Sequence, residues 1–197
     1  PKPVRYLAVL VSFWLLVLGA SLVLVRNVTP QPTEFVPTYS AAQARYLGLE
    51  PFGTFSRMLD DFQPTQVRLQ ADWNQVEPVP GQFDFSELDE LVRLAAQRGA
   101  RVTLAVGRKL PRWPECHDPA WLGPLAPWEV QGRIATMLRA VVEHYRSEPA
   151  IARWQLENEP LFAFGECPPP NWHQLVRERD LLRSLDPSRP ILLTDSG

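Results

Sequence analysis

The chain has 197 residues and a formal net charge of −2. That length holds one ordinary domain plus a short extra segment, and a near-neutral chain gives no electrostatic case for nucleic-acid binding. The 21 prolines fall between periodic segments rather than in one run, so they punctuate a folded domain; no internal repeat is visible.

Residues 1–26 read differently from the remainder. Tyr6–Val25 (YLAVLVSFWLLVLGASLVLV) carries no charge, and Ser12 and Ser21 are its polar interruptions. At 1.5 Å per residue, about 20 residues reach roughly 30 Å, the hydrocarbon thickness of a bilayer. Lys2 and Arg5 precede it, which places the N-terminus in the cytoplasm and the domain outside; Arg26 weakens that asymmetry. A cleaved signal peptide is the rival reading, with a small-residue site at Gly19-Ala20-Ser21. Leu22–Val25 prolong the apolar run past that site, so an uncleaved anchor is expected. A buried core helix is disfavoured because no face of the segment is polar. The chain does not begin with Met, so a start further upstream, or trimming, is expected. Residues 27–33 (NVTPQPT) read as a linker, and residues 34–197 as the domain.

Strand signals fall at Glu34–Ser40 (weakened by Pro37), Gln66–Leu69, Arg101–Val106, Ile151–Leu156 and Ile191–Thr194. Helical periodicity lies between them. Phe52–Phe62 has Phe55, Met58, Leu59 and Phe62 on one face. Ser86–Arg98 has Ser86 as a cap, a stripe of Leu88, Leu91, Val92 and Ala95, and Gly99 as terminator. Pro127–Tyr145 and Trp172–Leu185 complete the set, the last ended by Asp186-Pro187. The alternation of strand and helix predicts parallel strands with right-handed crossovers. By order alone an open doubly wound sheet and a barrel both stay open. The first strands are followed by no glycine-rich phosphate loop, which lowers the case for a nucleotide-binding sheet.

The third strand-like run after residue 60, IARWQLENEP, ends in Asn158-Glu159-Pro160. Pro160 stops the ladder because it has no N–H to donate. A carboxamide and a carboxylate there face whatever occupies the mouth of the fold. Asn158-Glu159-Pro160 resembles the acid/base motif of retaining glycoside hydrolases of clan A, which includes family 5. Val67-Arg68-Leu69 with Trp73 is similar to the second-strand signature of that family. Trp73-Asn74-Gln75-Val76-Glu77-Pro78, followed by Pro80-Gly81-Gln82-Phe83-Asp84-Phe85 and Leu88-Asp89, is similar to a segment of families 5, 39 and 42. Arg101–Val106 with Pro111-Arg112-Trp113-Pro114 resembles the third strand and its loop. The resemblance covers most of residues 34–197 and implies a (β/α)8 TIM barrel. Such a barrel needs about 250 residues, so the expected barrel is incomplete, truncated after about five strands.

The resemblance implies roles. Glu159 would be the general acid/base and Asn158 the partner of the sugar 2-hydroxyl. Arg68 would hold the nucleophile, a second Glu expected beyond residue 197. Hydrolysis of this kind needs an acid kept protonated and a carboxylate opposite it. Aromatic faces stack on sugar C–H faces, and of Trp73, Trp113, Trp121, Trp128 and Trp172, Trp73 and Trp113 are the expected contacts. Strand alternation puts Glu157 and Glu159 on one side and Asn158 on the other, so the strand end must twist for both to meet a sugar. Each residue also has a structural reading: Glu159 as a helix cap or Arg partner, Arg68 in a salt bridge with Glu157 or Asp72. Cys116 and Cys167, in neighbouring loops of an exported domain, suit a disulfide. A metal site joining them to His117 and His173 has no ligand spacing in its favour, and no cofactor is implied. The expected partners are a carbohydrate and, through residues 1–26, a membrane. A non-catalytic carbohydrate-binding protein and a transglycosylase on the same scaffold both stay open.

Overall fold

Every strand of the sheet runs parallel, in the order β1 (Gln66–Gln70), β2 (Arg101–Val106), β3 (Ile151–Leu156) and β4 (Ile191–Leu192). This computed structural model describes residue 6, residues 10–19 and residues 34–195. The chain divides into two units between Glu34 and Phe35. Residues 10–19 are helical and exposed. The rest of the expected anchor after Tyr6, and the linker 27–33, lie outside the described residues. Among the described residues no helix is long and apolar enough to cross a membrane.

The helices are α1 (Ala41–Tyr46), α2 (Pro51–Phe62), α3 (Trp73–Val76), α4 (Ser86–Gln97), α5 (Pro127–Tyr145) and α6 (Trp172–Leu185). Three expectations change. The run Glu34–Ser40 contributes only a single parallel bridge, Thr38 to Arg68. Pro37 lacks an N–H but still accepts from Arg68 N at 2.9 Å, so one rung forms and a ladder does not. Ser86 is not a cap: Phe85 holds that position, and Asp84 Oδ1 accepts from Ser86 N at 2.9 Å. The last strand is two residues long, Ile191–Leu192, rather than reaching Thr194. Helix α2 begins at Pro51, where Glu50 accepts from Phe52 N and Gly53 N, and Asn171 caps α6 by accepting from Gln174 N at 3.2 Å.

The two faces of the sheet differ in chemistry. Val67, Leu69, Val102, Leu104, Trp154 and Leu156 are buried in the main core with Phe55 and Leu59 of α2, Val92 of α4, Leu138 of α5 and Leu182 of α6. The opposite face carries Gln66, Arg68, Thr103, Arg153 and Gln155, and register aligns Arg68, Thr103 and Arg153 across the strands. Arg153 donates to Gln66 Oε1 at 2.9 Å and Arg68 to Gln155 Oε1 at 3.0 Å. Both bonds span β2, whose Thr103 and Ala105 are short enough to be bridged over. An open doubly wound sheet is apolar on both faces because helices cover both. A helix-covered face and a polar one suit a barrel wall.

The edge opposite the strand C-termini is fastened by Arg189. It donates to Ile151 O, Arg146 O and Glu148 O, each at 2.7 Å, and pairs with Asp186 Oδ2 at 2.7 Å. Asp186 also accepts from Trp154 Nε1 at 3.0 Å. Burial alone would raise the Asp186 carboxyl, but bonds from Ser188, Arg189 and Trp154 outweigh it and hold it well below the ordinary carboxylate range. A depressed carboxyl stabilises the fold above its unfolded-state range and loses that contribution as pH falls. Asp186→Ala is expected to cost about 2 kcal/mol at neutral pH. Urea unfolding should show the gap from wild type closing below about pH 4; a gap independent of pH would count against the ionised Asp186.

Candidate active site

Beyond Leu156 the chain leaves the pleat. Glu157 and Glu159 have φ of 56° and 45°, a left-handed conformation that costs side-chain-bearing residues roughly 1–2 kcal/mol each. Surrounding bonds hold it. Glu157 N donates to Val106 O at 2.9 Å and Asn158 N to Lys109 O at 2.6 Å, while Glu159 N donates to Thr194 Oγ1 at 3.0 Å. The turn is thereby tied to the loop after β2 on one side and to the segment after β4 on the other. It also breaks the strict alternation of a strand. Asn158 and Glu159 line one cleft of about 480 Å³ with Thr38, Arg68, Arg112 and Thr194, a volume in the range of small-ligand sites.

Glu157 goes elsewhere. Its carboxyl accepts from Arg108 N at 2.8 Å and Lys109 N at 2.5 Å, so the pairing with Arg68 expected from sequence does not form. Arg68 instead donates to Thr38 Oγ1 at 2.9 Å and to Gln155, and makes no ion pair among the described residues. Burial lowers the proton affinity of the Arg68 guanidinium, neighbouring Arg112 lowers it further, and Glu159 acts in the opposite direction. Asp72, the other acid considered for Arg68, accepts from Gln70 Nε2 at 2.8 Å and lies 3.7 Å from His117 Nε2. Burial pushes its carboxyl up to about 6 despite His117 and Gln70.

Trp73 is not a sugar contact. It is fully buried, its indole N–H donates to Glu77 Oε2 at 2.7 Å, and its ring meets Trp121 edge-on. The Trp-x-x-Val-Glu-Pro segment is therefore an internal brace: Glu77 also accepts from Gly81 N at 2.8 Å, holding the following turn. Trp113 is 62% exposed. It meets Phe164 at 6.0 Å edge-on, and Phe164 stacks with Phe162 at 5.9 Å. Cys116 and Cys167 are joined in a disulfide, and Glu166 N donates to Pro114 O at 2.9 Å, so these rings, from two distant loops, share one exposed strip.

Sequence reasoning missed Lys109, Glu115, Arg112, Phe162 and Phe164. Lys109 is buried, pairs with Glu115 at 3.0 Å, and donates to Glu159 O at 3.0 Å and Phe162 O at 3.1 Å. Glu115 in turn accepts from Asn158 Nδ2 at 3.4 Å. Lone charges in a loop carry no periodic signal, so only their position after a strand could have marked them. Among the described residues no group of three or more His, Cys, Asp or Glu is placed to hold a metal.

Comparison with known proteins gives a consistent direction. The glycoside hydrolase family 42 model, described as beta-galactosidase, matches residues 57–127. The chain is 26% identical to the beta-galactosidase LacZ of Heyndrickxia coagulans over 48% of this chain and 17% of that protein. It is 31% identical to a beta-galactosidase of an Arthrobacter species over 44% of this chain and 15% of that protein. The solved GH5_18 structure from Streptomyces cattleya, in complex with GlcNAc, aligns with a TM-score of 0.63 at 19% identity, covering 85% of this chain and 45% of that one. A family 39 glycoside hydrolase from Bacteroides cellulosilyticus WH2 aligns with a TM-score of 0.54 at 16% identity, covering 80% and 31%. The chain thus spans less than a fifth of these curated relatives and under half of these solved structures. It resembles the clan A glycoside hydrolases, and its parallel sheet has the fold of part of their barrel.

Lys109 is the hub of these contacts. Lys109→Met is expected to leave Glu115 buried without its cation and to cost about 3 kcal/mol or more. Thermal unfolding of the variant checks this, and an unchanged midpoint would remove Lys109 from the support of the turn.

Proposed function

We propose that the chain carries the acid/base half of a retaining glycoside hydrolase site that acts on O-glycosidic bonds of an oligo- or polysaccharide. The observation that supports it best is the cleft itself. Asn158 and Glu159 share it with Arg68, a half-buried guanidinium with neutral hydrogen-bond acceptors and no ion pair among the described residues, on which Glu159 acts without contact. A buried cation of that kind calls for an anion. In this reading the anion is the nucleophile, a Glu supplied beyond residue 197, which Arg68 holds in place and ionised. Glu159 protonates the leaving oxygen, then takes a proton from water when the glycosyl-enzyme is hydrolysed. Asn158 hydrogen-bonds the hydroxyl beside the reacting carbon. The strip of Trp113, Phe162 and Phe164 offers aromatic faces to neighbouring sugar rings. Named relatives make β-galactosides the first substrates to try.

The apolar run Tyr6–Val25 supports a membrane anchor with the domain outside the cytoplasm, and a disulfide between Cys116 and Cys167 suits that oxidising side. Carbonate washing should leave the full-length protein in the membrane, and release into the supernatant would replace the anchor with a cleaved signal.

In the full-length protein, Glu159→Gln should lower kcat by roughly 10²–10⁴-fold with the fold intact. Retained turnover would take Glu159 out of the chemistry, and a wild type inert on every glycoside would favour a non-catalytic carbohydrate-binding role. Trp113→Ala should raise KM for oligosaccharides roughly 10-fold with little change in kcat, the size of one lost ring contact. Equal KM values in the two proteins would exclude the strip from binding.

A further inference from the structure

Behind the Asn158–Glu159 turn lies a small cavity lined by Glu157, Glu178, Arg108, Lys109 and the disulfide. Glu157 and Glu178 both line this cavity and are buried, at 6% and 5% exposure, and each carboxyl acts on the proton affinity of the other. The Glu157 carboxyl sits in a cradle made for it. Gly107 has φ of 128°, and a Cβ there would stand 2.3 Å from Glu157 Oε1. Closing the cradle, the next two amides, Arg108 N and Lys109 N, donate into the carboxyl. Glu178, on α6, is held by Gln174 Nε2 at 2.7 Å.

Charged groups face this pair from each neighbouring element, and the cations are committed elsewhere. From the β2 loop, Arg108 makes its ion pair with Asp118 and Lys109 makes its pair with Glu115. From α6, Arg177 donates to Gln131 Oε1 at 3.1 Å. From the loop before α6, Asn171 adds no charge. Two carboxyls that act on one another, out of water and without a dedicated cation, cannot both be ionised.

We infer that Glu157 and Glu178 are positioning residues: the pair clamps the Asn158–Glu159 turn onto the β2 loop and α6 while a single proton is shared between them, and loosens it when that proton leaves. Deprotonation removes the shared proton and sets two like charges against each other at the base of the turn. The backbone path is short, because Asn158 N donates to Lys109 O, and Lys109 N donates to Glu157. The energetics agree in direction. Burial, then the Glu178 charge, raises Glu157 well above the ordinary carboxylate range, and burial raises Glu178. Carboxyls that bind protons more tightly when folded cost stability as pH rises from their ordinary range. The clamp acts on the turn that the proposed function calls catalytic, and its test does not depend on catalysis.

The full-length protein, isotopically labelled, is titrated from about pH 4 to about pH 9 as wild type, Glu178→Gln and Glu157→Gln. The backbone and side-chain amide signals of Asn158 and the thermal midpoint are followed together. In wild type the Asn158 signals should move in a step above the ordinary carboxylate range, and the midpoint should fall over the same interval. In Glu178→Gln the amide supplies a fixed N–H toward Glu157 in place of the shared proton, while its oxygen still accepts from Gln174, so this variant should lose the step and most of the fall. In Glu157→Gln the amide N–H is set against Arg108 N or Lys109 N, so this variant should lose the step and also lower the midpoint throughout. Asp72 remains to titrate in all three and supplies the common background. A step of equal size and position in any folded variant would overturn the clamp. Glycoside hydrolysis is read separately: a clamp present in an inactive protein rejects the function alone, and an active protein with no step rejects the clamp alone.

Discussion

Two backbone N–H groups that leave the sheet after β2 have no strand to receive them, and the carboxyl of Glu157 does. That interaction fixes the mouth of the fold. A buried amide left unpaired costs about 1–3 kcal/mol, so satisfying two of them at once is enough to hold Glu157 in a left-handed conformation. Once Glu157 is turned back toward Gly107, the chain can only continue outward. Asn158 and Glu159 are thereby delivered to the cleft rather than to opposite faces of a strand.

The two-faced sheet supplies the frame. Apolar residues on one side pack under helices and set the register. The polar side carries Arg68, which reaches over short β2 side chains to Gln155. Because the strands are parallel, all their C-terminal ends, and the loops that follow, lie at one edge. The disulfide and the Glu166–Pro114 bond join loops that belong to adjacent strands. Aromatic rings from both loops, Trp113 from one and Phe162 and Phe164 from the other, can then meet without either loop reaching far. The opposite edge is fastened separately, where Arg189 and Asp186 tie α5, β3 and the turn before β4 together.

Much of this was legible in the chain. Helices α4, α5 and α6 follow from their apolar stripes and stops, and β2 and β3 from β-branched and apolar runs. The run ending at Asn158-Glu159 marked the cleft through its resemblance to the acid/base motif of clan A glycoside hydrolases; the proline-stopped strand alone suited a helix cap or an Arg partner equally well. Trp73 shows the limit. A tryptophan after a strand reads equally well as a ligand platform or a brace, and Glu77, four residues on, decides for the brace by accepting its N–H. Lys109 and Glu115 were not legible at all, since their partners lie far away in sequence and a single charge has no period.

The sequence by itself determined the alternation of strand and helix, the parallel order that follows from it, and the residues that stand where a strand meets its loop. These are local properties, set by spacing, β-branching and the missing N–H of proline. Tertiary structure alone decided which of those residues face one another. Arg68 goes to Gln155 and not to Glu157, Glu157 to the amides of Arg108 and Lys109, and Lys109 to Glu159 and Glu115 together, because such pairings depend on the register of the parallel strands and on the left-handed conformation of Glu157 and Glu159. Neither is written in any short stretch of chain; the second arises when amides that have left the sheet must find acceptors in a space the whole fold has already closed.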